Sequence, residues 1–168
     1  MNGLKIVFLD LDGVLNTLRW RQKMGKKAIA DEYGYSFDPD SVANLARIVN
    51  QPNVDIVISS SWKCLGLDYL QSMWKDRQLP GNVVDITPSE TNRDVIRNAS
   101  PADIRWLTSK GYEIQMWLQK NKGIESYAIL DDENFILSNQ QDHFVQIDPI
   151  VGITNEDVMR VNLILQQC

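Results

Sequence analysis

Short apolar runs alternate along the chain with stretches of helical periodicity. Five of the runs are rich in branched aliphatic residues and have the length of buried strands. The stretches between them place apolar residues three and four positions apart, as on the buried face of a helix. The predicted strands are residues 4–9, 54–59, 83–86, 126–130 and 143–147, and the predicted helices are residues 38–51, 65–76, 112–123 and 155–167.

Strands that alternate with helices predict an α/β fold in which a mainly parallel sheet is covered on both faces. We expect a single three-layer domain over residues 1–168, with about five strands and a minimal cap. Two stretches interrupt the alternation, residues 17–37 and residues 87–111. We interpret both as loops or small cap insertions above a functional site.

Charge and cysteine content narrow the class of protein. The chain has 17 basic and 22 acidic residues, a net charge of −5, which argues against nonspecific binding to nucleic acid or to an anionic membrane. No apolar run is long enough to cross a membrane, and the first residues do not resemble a signal peptide. Cys64 and Cys168 are poorly placed for a bridge, so we expect a reducing, cytoplasmic location. The single histidine, His143, argues against histidine-rich zinc sites.

Polar clusters follow three of the predicted strands at the point where each strand ends. Asp10, Asp12 and Gly13 follow the first strand, with Asn16 close behind. Three serines, residues 59–61, and then Lys63 follow the second strand, and an Asp-Asp pair follows the fourth. Because ligands of open α/β sheets bind beyond the carboxyl ends of the strands, these clusters predict one acidic pocket with hydroxyl donors.

Carboxylates placed this close together raise one another's pKa values unless a cation lies among them. Oxygen ligands without histidine favour a hard cation, Mg²⁺ before Ca²⁺. A hard cation, hydroxyl donors and a lysine are what phosphoryl transfer needs, because negative charge spreads over the phosphoryl oxygens in its transition state. One aspartate can attack phosphorus, and a second can protonate the leaving oxygen and then activate water.

The segment from Asp10 to Val14 at the end of an apolar strand resembles the first motif of the haloacid dehalogenase-like (HAD) phosphohydrolases. The resemblance implies a three-layer Rossmann-like HAD fold and Mg²⁺ as the cofactor. It implies Asp10 as the nucleophile and Asp12 as the general acid/base, whose backbone carbonyl also binds the metal. Haloacid dehalogenases proper lack the second aspartate, so Asp12 favours phosphate esters over carbon–halogen bonds.

The later HAD motifs also have counterparts in this sequence. The hydroxyl residue that closes the second strand matches Ser59, with Ser60 as the alternative, and the acidic pair matches Asp131 and Asp132. The basic residue near a helix start matches Lys110, with Arg105 and Lys63 as alternatives. The resemblance thus implies Asp10, Asp12, Asp131 and Asp132 as metal ligands, Asp10, Asp12, Ser59 and Lys110 as catalytic residues, and Gly13, Ser60, Lys63, Arg19 and Arg21 at the substrate.

Four further stretches are similar to the small HAD domains of multidomain Swiss Army Knife RNA-repair proteins. These stretches are SSSWK, KGYEIQMWL, ILDDE and VQIDPIVGITNEDV. The resemblance to HAD proteins therefore extends over about the whole chain.

The segment RWRQKMGKK, residues 19–27, carries five positive charges in an otherwise acidic chain. One interpretation is a solvated face. The other is a basic rim, including Arg19 and Arg21, that attracts a substrate with several phosphates, with Trp20 able to stack on a base. We expect Trp62 to be a packed aromatic residue rather than a surface for stacking.

The predicted function is Mg²⁺-dependent hydrolysis of a phosphomonoester through an aspartyl-phosphate. One alternative is a phosphatase that processes nucleic-acid ends, and another is a catalytically silent module that binds phosphate or protein. The expected partner is a phosphorylated small molecule or a nucleic-acid end, without a membrane and without an obligate protein partner.

Overall fold

The computed structural model describes residues 3–89, 97, 100, 101, 107 and 109–167. The strands are β1 (Leu4–Leu9), β2 (Ile29–Asp31), β3 (Gly34–Tyr35), β4 (Val54–Ile58), β5 (Val83–Ile86), β6 (Ile124–Asp131) and β7 (Phe144–Gln146). The helices are α1 (Leu18–Met24), α2 (Pro39–Val49), α3 (Leu67–Asp76), α4 (Lys110–Lys120) and α5 (Asn155–Gln166). Within these described residues, no helix is both long and apolar enough to cross a membrane.

Five strands form one sheet in the order β5–β4–β1–β6–β7, and every neighbouring pair is parallel. This arrangement confirms the predicted α/β fold with a mainly parallel five-stranded sheet. From β1 the chain continues to β4 and β5 on one side, and it then crosses to β6 and β7 on the other. The order of the strands therefore reverses between β1 and β6, which is where open α/β sheets bind their ligands.

The two faces of the sheet belong to separate apolar clusters. In β1, Val7 and Leu9 face a cluster that contains buried residues of α2, α3 and α5. Ile6 and Phe8 face the other cluster, which contains Ile114 and Trp117 of α4. Because β1 is covered on both faces, its sequence is a continuous apolar run rather than an alternating one.

The bounds of α4 and β6 differ from the prediction in ways that affect the site. Helix α4 begins at Lys110, two residues earlier than predicted, because the Ser109 side chain caps it by accepting a hydrogen bond from the Tyr112 N–H. It ends at Lys120 rather than at Gly123. Strand β6 runs from Ile124 to Asp131, so Asp131 is its last residue.

Residues 17–37 are not a plain loop, since they contain α1 and the antiparallel hairpin of β2 and β3. Thr17 caps α1 by accepting from the Trp20 N–H. Arg77, the residue that follows α3, holds the hairpin in place with two hydrogen bonds to Asp31, of 2.9 and 2.6 Å. Most of the second predicted insertion, including Arg105, lies outside the described residues.

Candidate active site

The carboxyl ends of β4, β1 and β6 lie side by side at one edge of the sheet. The Asp10 N–H donates to the Leu130 carbonyl at 3.0 Å, which places Asp10 next to Asp131. On the other side of β1, the Ser59 N–H donates to the Leu9 carbonyl at 3.0 Å. Residues from three predicted polar clusters therefore meet at the point where the strand order reverses.

Three carboxylates form a compact group that we call the acidic cluster, made up of Asp10, Asp131 and Asp132. One oxygen from each lies within 4.8 Å of the others. Lys110 is the cation beside them, with Nζ 2.7 Å from Asp131 Oδ2 and 3.3 Å from Asp10 Oδ2. Asp10 and Asp131 are buried and Asp132 is half-buried, so the cluster combines negative charge with a low exposure to water.

The pKa directions reflect this excess of negative charge. Burial and then the charge of Asp10 raise the pKa of Asp131 to about 7, although Lys110 acts in the opposite direction. The same two causes raise the pKa of Asp132. Burial lowers the pKa of the Lys110 ammonium, but the charges of Asp131 and Asp10 outweigh that effect and raise it. The cluster therefore favours any added positive charge, a proton or a metal ion.

The oxygen ligands of the acidic cluster suit Mg²⁺, the metal that the resemblance to HAD proteins implies. All are carboxylate oxygens, which are the ligands that Mg²⁺ prefers, and one ammonium group does not balance three carboxylates. Asp10, Asp131 and Asp132 could hold the ion. The carboxylate of Asp12 lies outside the cluster, and the resemblance assigns metal binding to its backbone carbonyl instead.

The Asp12 carboxylate belongs to a second group that we call the Asp12 network, made up of Asp12, Asn16, Arg21 and Trp62. Oδ1 accepts from Asn16 Nδ2 at 2.9 Å and from Arg21 Nη2 at 3.0 Å. Oδ2 accepts from the indole Nε1 of Trp62 at 2.8 Å. A neighbouring bond of 2.6 Å joins Arg21 Nε to Asn16 Oδ1, so the donors also hold one another.

Gly13 lets the loop after β1 lie against the acidic cluster. Its φ is +77°, in the left-handed region that favours glycine. A Cβ atom there would lie 2.6 Å from Cγ of Asp132, closer than real contacts allow. The glycine of the first motif is therefore required by both backbone conformation and space.

The three serines after β4 have different surroundings. Ser59 is buried, and its Oγ has no hydrogen-bond partner within the described part of the chain. Ser60 is also buried, and its Oγ accepts from the Trp62 N–H at 3.4 Å at the start of a 3₁₀ turn. Ser61 lines the cavity described below. Of the two predicted phosphate contacts, only Ser59 has a hydroxyl without a partner among the described residues, and neither serine lines the cavity.

The other predicted basic residues have acidic partners of their own. Lys63 forms an ion pair with Glu113 of α4 and lies 3.3 Å from Thr87 Oγ1. Arg19 lies 3.7 Å from Asp38 and 3.8 Å from Asp40. Neither residue lines the cavity that holds the acidic cluster, whereas Arg21 does.

An open cavity of about 470 Å³ brings the two groups together. The acidic cluster contributes Asp10 and Asp132, and the Asp12 network contributes Asp12, Asn16 and Arg21. Leu18 and Pro149 form an apolar part of its wall. The cavity can thus admit a phosphate with an attached group that extends toward solvent.

Sequence reasoning did not identify the partners of Asp12 and Lys63. The sequence predicts that Trp62 is a packed residue, and its ring does pack against Phe37, with 6.0 Å between ring centroids. Its hydrogen bond to Asp12 joins residues 50 positions apart, and no local pattern signals such a contact. The contacts of Asn16 and Arg21 with Asp12 are more local, because these residues lie only four and nine positions after it, and that short separation is the available signal.

Comparison with known proteins identifies the family. No curated protein and no solved structure shows a significant match. A sequence model of the family described as "HAD domain in Swiss Army Knife RNA repair proteins" matches residues 6–158, a range that contains both the acidic cluster and the Asp12 network. The chain belongs to this family of HAD domains.

Proposed function

We propose that this protein is a Mg²⁺-dependent phosphomonoester hydrolase that forms an aspartyl-phosphate at Asp10. The observation that carries the proposal is the meeting of Asp10, Asp131 and Asp132 beside Lys110, at the point where the strand order reverses. A buried aspartate next to other carboxylates and a lysine is suited to attack phosphorus once positive charge is supplied.

In the first step, a carboxylate oxygen of Asp10 attacks phosphorus, and the bond from phosphorus to the ester oxygen breaks. Asp12 donates a proton to that departing oxygen. Lys110, which lines the cavity, donates to the phosphoryl oxygens, and so does the hydroxyl of Ser59, which has no hydrogen-bond partner among the described residues. When bound at the acidic cluster, Mg²⁺ supplies the charge that lets an anionic phosphate approach the carboxylates.

In the second step, Asp12 accepts a proton from a water molecule, which attacks phosphorus from the side opposite Asp10. The bond between the Asp10 oxygen and phosphorus breaks, inorganic phosphate leaves, and the Asp10 carboxylate is regenerated. The two steps need one aspartate as nucleophile and a second that gives and then takes a proton, which are the roles proposed for Asp10 and Asp12.

The direct test replaces Asp10 with asparagine. We expect kcat for 4-nitrophenyl phosphate to fall by about 10⁴-fold or more, because removal of a nucleophile costs that much in comparable enzymes. The control is Asp142→Asn, which makes the same change at an exposed residue. Substantial activity in Asp10→Asn would refute the assignment of the nucleophile. No Mg²⁺-dependent turnover by the wild type on a broad panel of phosphate esters would favour a silent binding module instead.

A second candidate function is the removal of phosphate from nucleic-acid ends. Two observations favour it: the family description names RNA repair proteins, and the cavity is open beside the basic helix α1. Wild-type activity on 3′- and 5′-phosphorylated oligonucleotides should then exceed activity on 4-nitrophenyl phosphate.

The role of the basic helix is tested by an Arg19→Gln and Arg21→Gln double variant. It should raise KM for oligonucleotides more at low salt than at high salt, because phosphate contacts release counterions. The control neutralises Lys120 and Lys122, which are exposed at the end of α4 and just after it, outside the cavity, and which should leave KM unchanged. A response that does not depend on salt would remove the basic rim from the proposal.

A further inference from the structure

The Asp12 carboxylate has nearly all of its acceptor positions occupied. A carboxylate offers about four such positions, two on each oxygen. Oδ1 uses both for Asn16 and Arg21, while Oδ2 uses one for the indole N–H of Trp62. Counting the contacts of the described residues, one acceptor position on Oδ2 therefore remains for a proton. The hydrogen bond from Trp62 to the other position fixes the direction in which it points.

Trp62 is well suited to set that direction. Its indole nitrogen can only donate, so it holds Oδ2 whether or not the acid is engaged in proton transfer. The indole ring of Trp62 is held in place because it packs against Phe37. The backbone of Trp62 is held as well, since its N–H donates to Ser60 Oγ. Without this donor, Oδ2 loses the contact that fixes the carboxylate on that side.

We propose that Trp62 is a positioning residue that aims the free acceptor position of Asp12 Oδ2 at the leaving oxygen. This inference rests on the proposed function, in which Asp12 is the general acid/base. It assigns to the tryptophan of SSSWK a role distinct from both packing and base stacking.

The test compares two esters whose leaving groups differ in their need for a proton. Phenyl phosphate needs an acid when the ester bond breaks, whereas 4-nitrophenyl phosphate loses a stabilised anion. Trp62→Phe should lower kcat/KM for phenyl phosphate by about tenfold, and for 4-nitrophenyl phosphate by less than about threefold, because misaimed acid catalysis costs most where the proton matters.

The matched control is Trp117→Phe. It removes an indole-to-carboxylate hydrogen bond of the same kind, from Trp117 Nε1 to Asp85 at 2.6 Å, outside the cavity. The control should affect both esters to the same extent. An equal loss for both esters in Trp62→Phe, or no loss, would overturn the positioning role.

A second measurement does not depend on activity or on the folding of Trp62→Phe. The indole N–H signal of Trp62 is assigned in the wild type by triple-resonance NMR, and its solvent exchange is compared with that in Asp12→Ala. We expect exchange to accelerate by about tenfold or more, with the Trp117 signal unchanged. Unchanged exchange at Trp62 would overturn the inference. If the wild type hydrolyses neither these two esters nor any other member of the broad panel, the proposed function fails and the positioning role fails with it, even where the indole contact persists.

Discussion

The acidic cluster and the Asp12 network contain the same kind of side chain in opposite surroundings. Asp10 and Asp12 are two residues apart, yet Asp10 is buried among carboxylates with one ammonium group nearby, whereas Asp12 is held by three donors. In the first group three carboxylates share the single ammonium group of Lys110, whereas in the second the Asp12 carboxylate is paired with Arg21. This difference supports the two separate roles that we propose, a cation held by the acidic cluster and a proton exchanged by Asp12.

The largest effect is expected from Lys110→Met, which removes the ammonium group beside the acidic cluster. In metal-free buffer at pH 8 we expect the free energy of unfolding to fall by roughly 3 kcal/mol, because three carboxylates then lack a nearby positive charge. Urea denaturation measures the change, and Mg²⁺ should recover part of it. Lys120→Met, at the exposed end of the same helix, should cost less than about 0.5 kcal/mol. Equal losses in the two variants would contradict the comparison.

The acidic cluster should also make stability depend on pH and on metal. The folded-state pKa of Asp131, about 7, lies above its ordinary value of 3.8. The folded protein therefore binds more protons than the unfolded chain between these values, so without metal its stability falls as the pH rises from about 4 to about 7.

Asp131→Asn should reduce the fall in the free energy of unfolding between pH 5 and pH 8, which urea denaturation at the two pH values measures. At pH 8, Mg²⁺ at a hundred times its Kd should stabilise the wild type by about 2.7 kcal/mol but should not stabilise Asp131→Asn. Asp142→Asn should keep both wild-type responses. If Mg²⁺ does not change the free energy of unfolding of the wild type, the metal site is refuted.

Gly13→Ala tests the contact between the first loop and the cluster. We expect a loss of about 2 kcal/mol in unfolding free energy, from the left-handed φ and from the approach of Cβ to Asp132. Gly123 has a similar φ of +84° with nothing within 4 Å of a Cβ, so Gly123→Ala should show only the backbone cost, about 1 kcal/mol. Calorimetric titration should find weaker Mg²⁺ binding in Gly13→Ala alone.

The smallest effect is expected from Arg21→Met in the Asp12 network. The Arg21 and Asp12 side chains are 33% and 45% exposed, so their ion pair should contribute less than about 1 kcal/mol to stability. Lys26→Met, at an exposed position of the same segment, provides the baseline. A loss as large as that in Lys110→Met would show that both groups depend on charge balance to the same degree.

The sequence was most informative where local pattern and burial coincide. Strands β1 and β5 have the predicted bounds. The physical reason is clearest for β1, because a strand that is covered on both faces requires a continuous apolar run. The polar residues at the strand ends could be identified as one site, because parallel strands bring their carboxyl ends to the same edge.

Other features were out of reach of local patterns. Helix α1 has only seven residues, none of them buried, so it lacks an apolar stripe, and its local signals are the cap residues Thr17 and Gly25. The ion pair between Lys63 and Glu113, like the bond from Trp62 to Asp12, spans 50 positions. Such contacts exist only once β4, α4 and the loop after β1 have packed together.

The amino-acid sequence alone is enough to predict the alternation of strands and helices, because burial imposes a periodicity on apolar residues. It also shows that aspartates stand directly after β1 and at the end of β6. Only the tertiary structure decided which carboxylates share a cluster and which is surrounded by donors. That choice depends on side-chain directions and on contacts between distant segments, neither of which periodicity records.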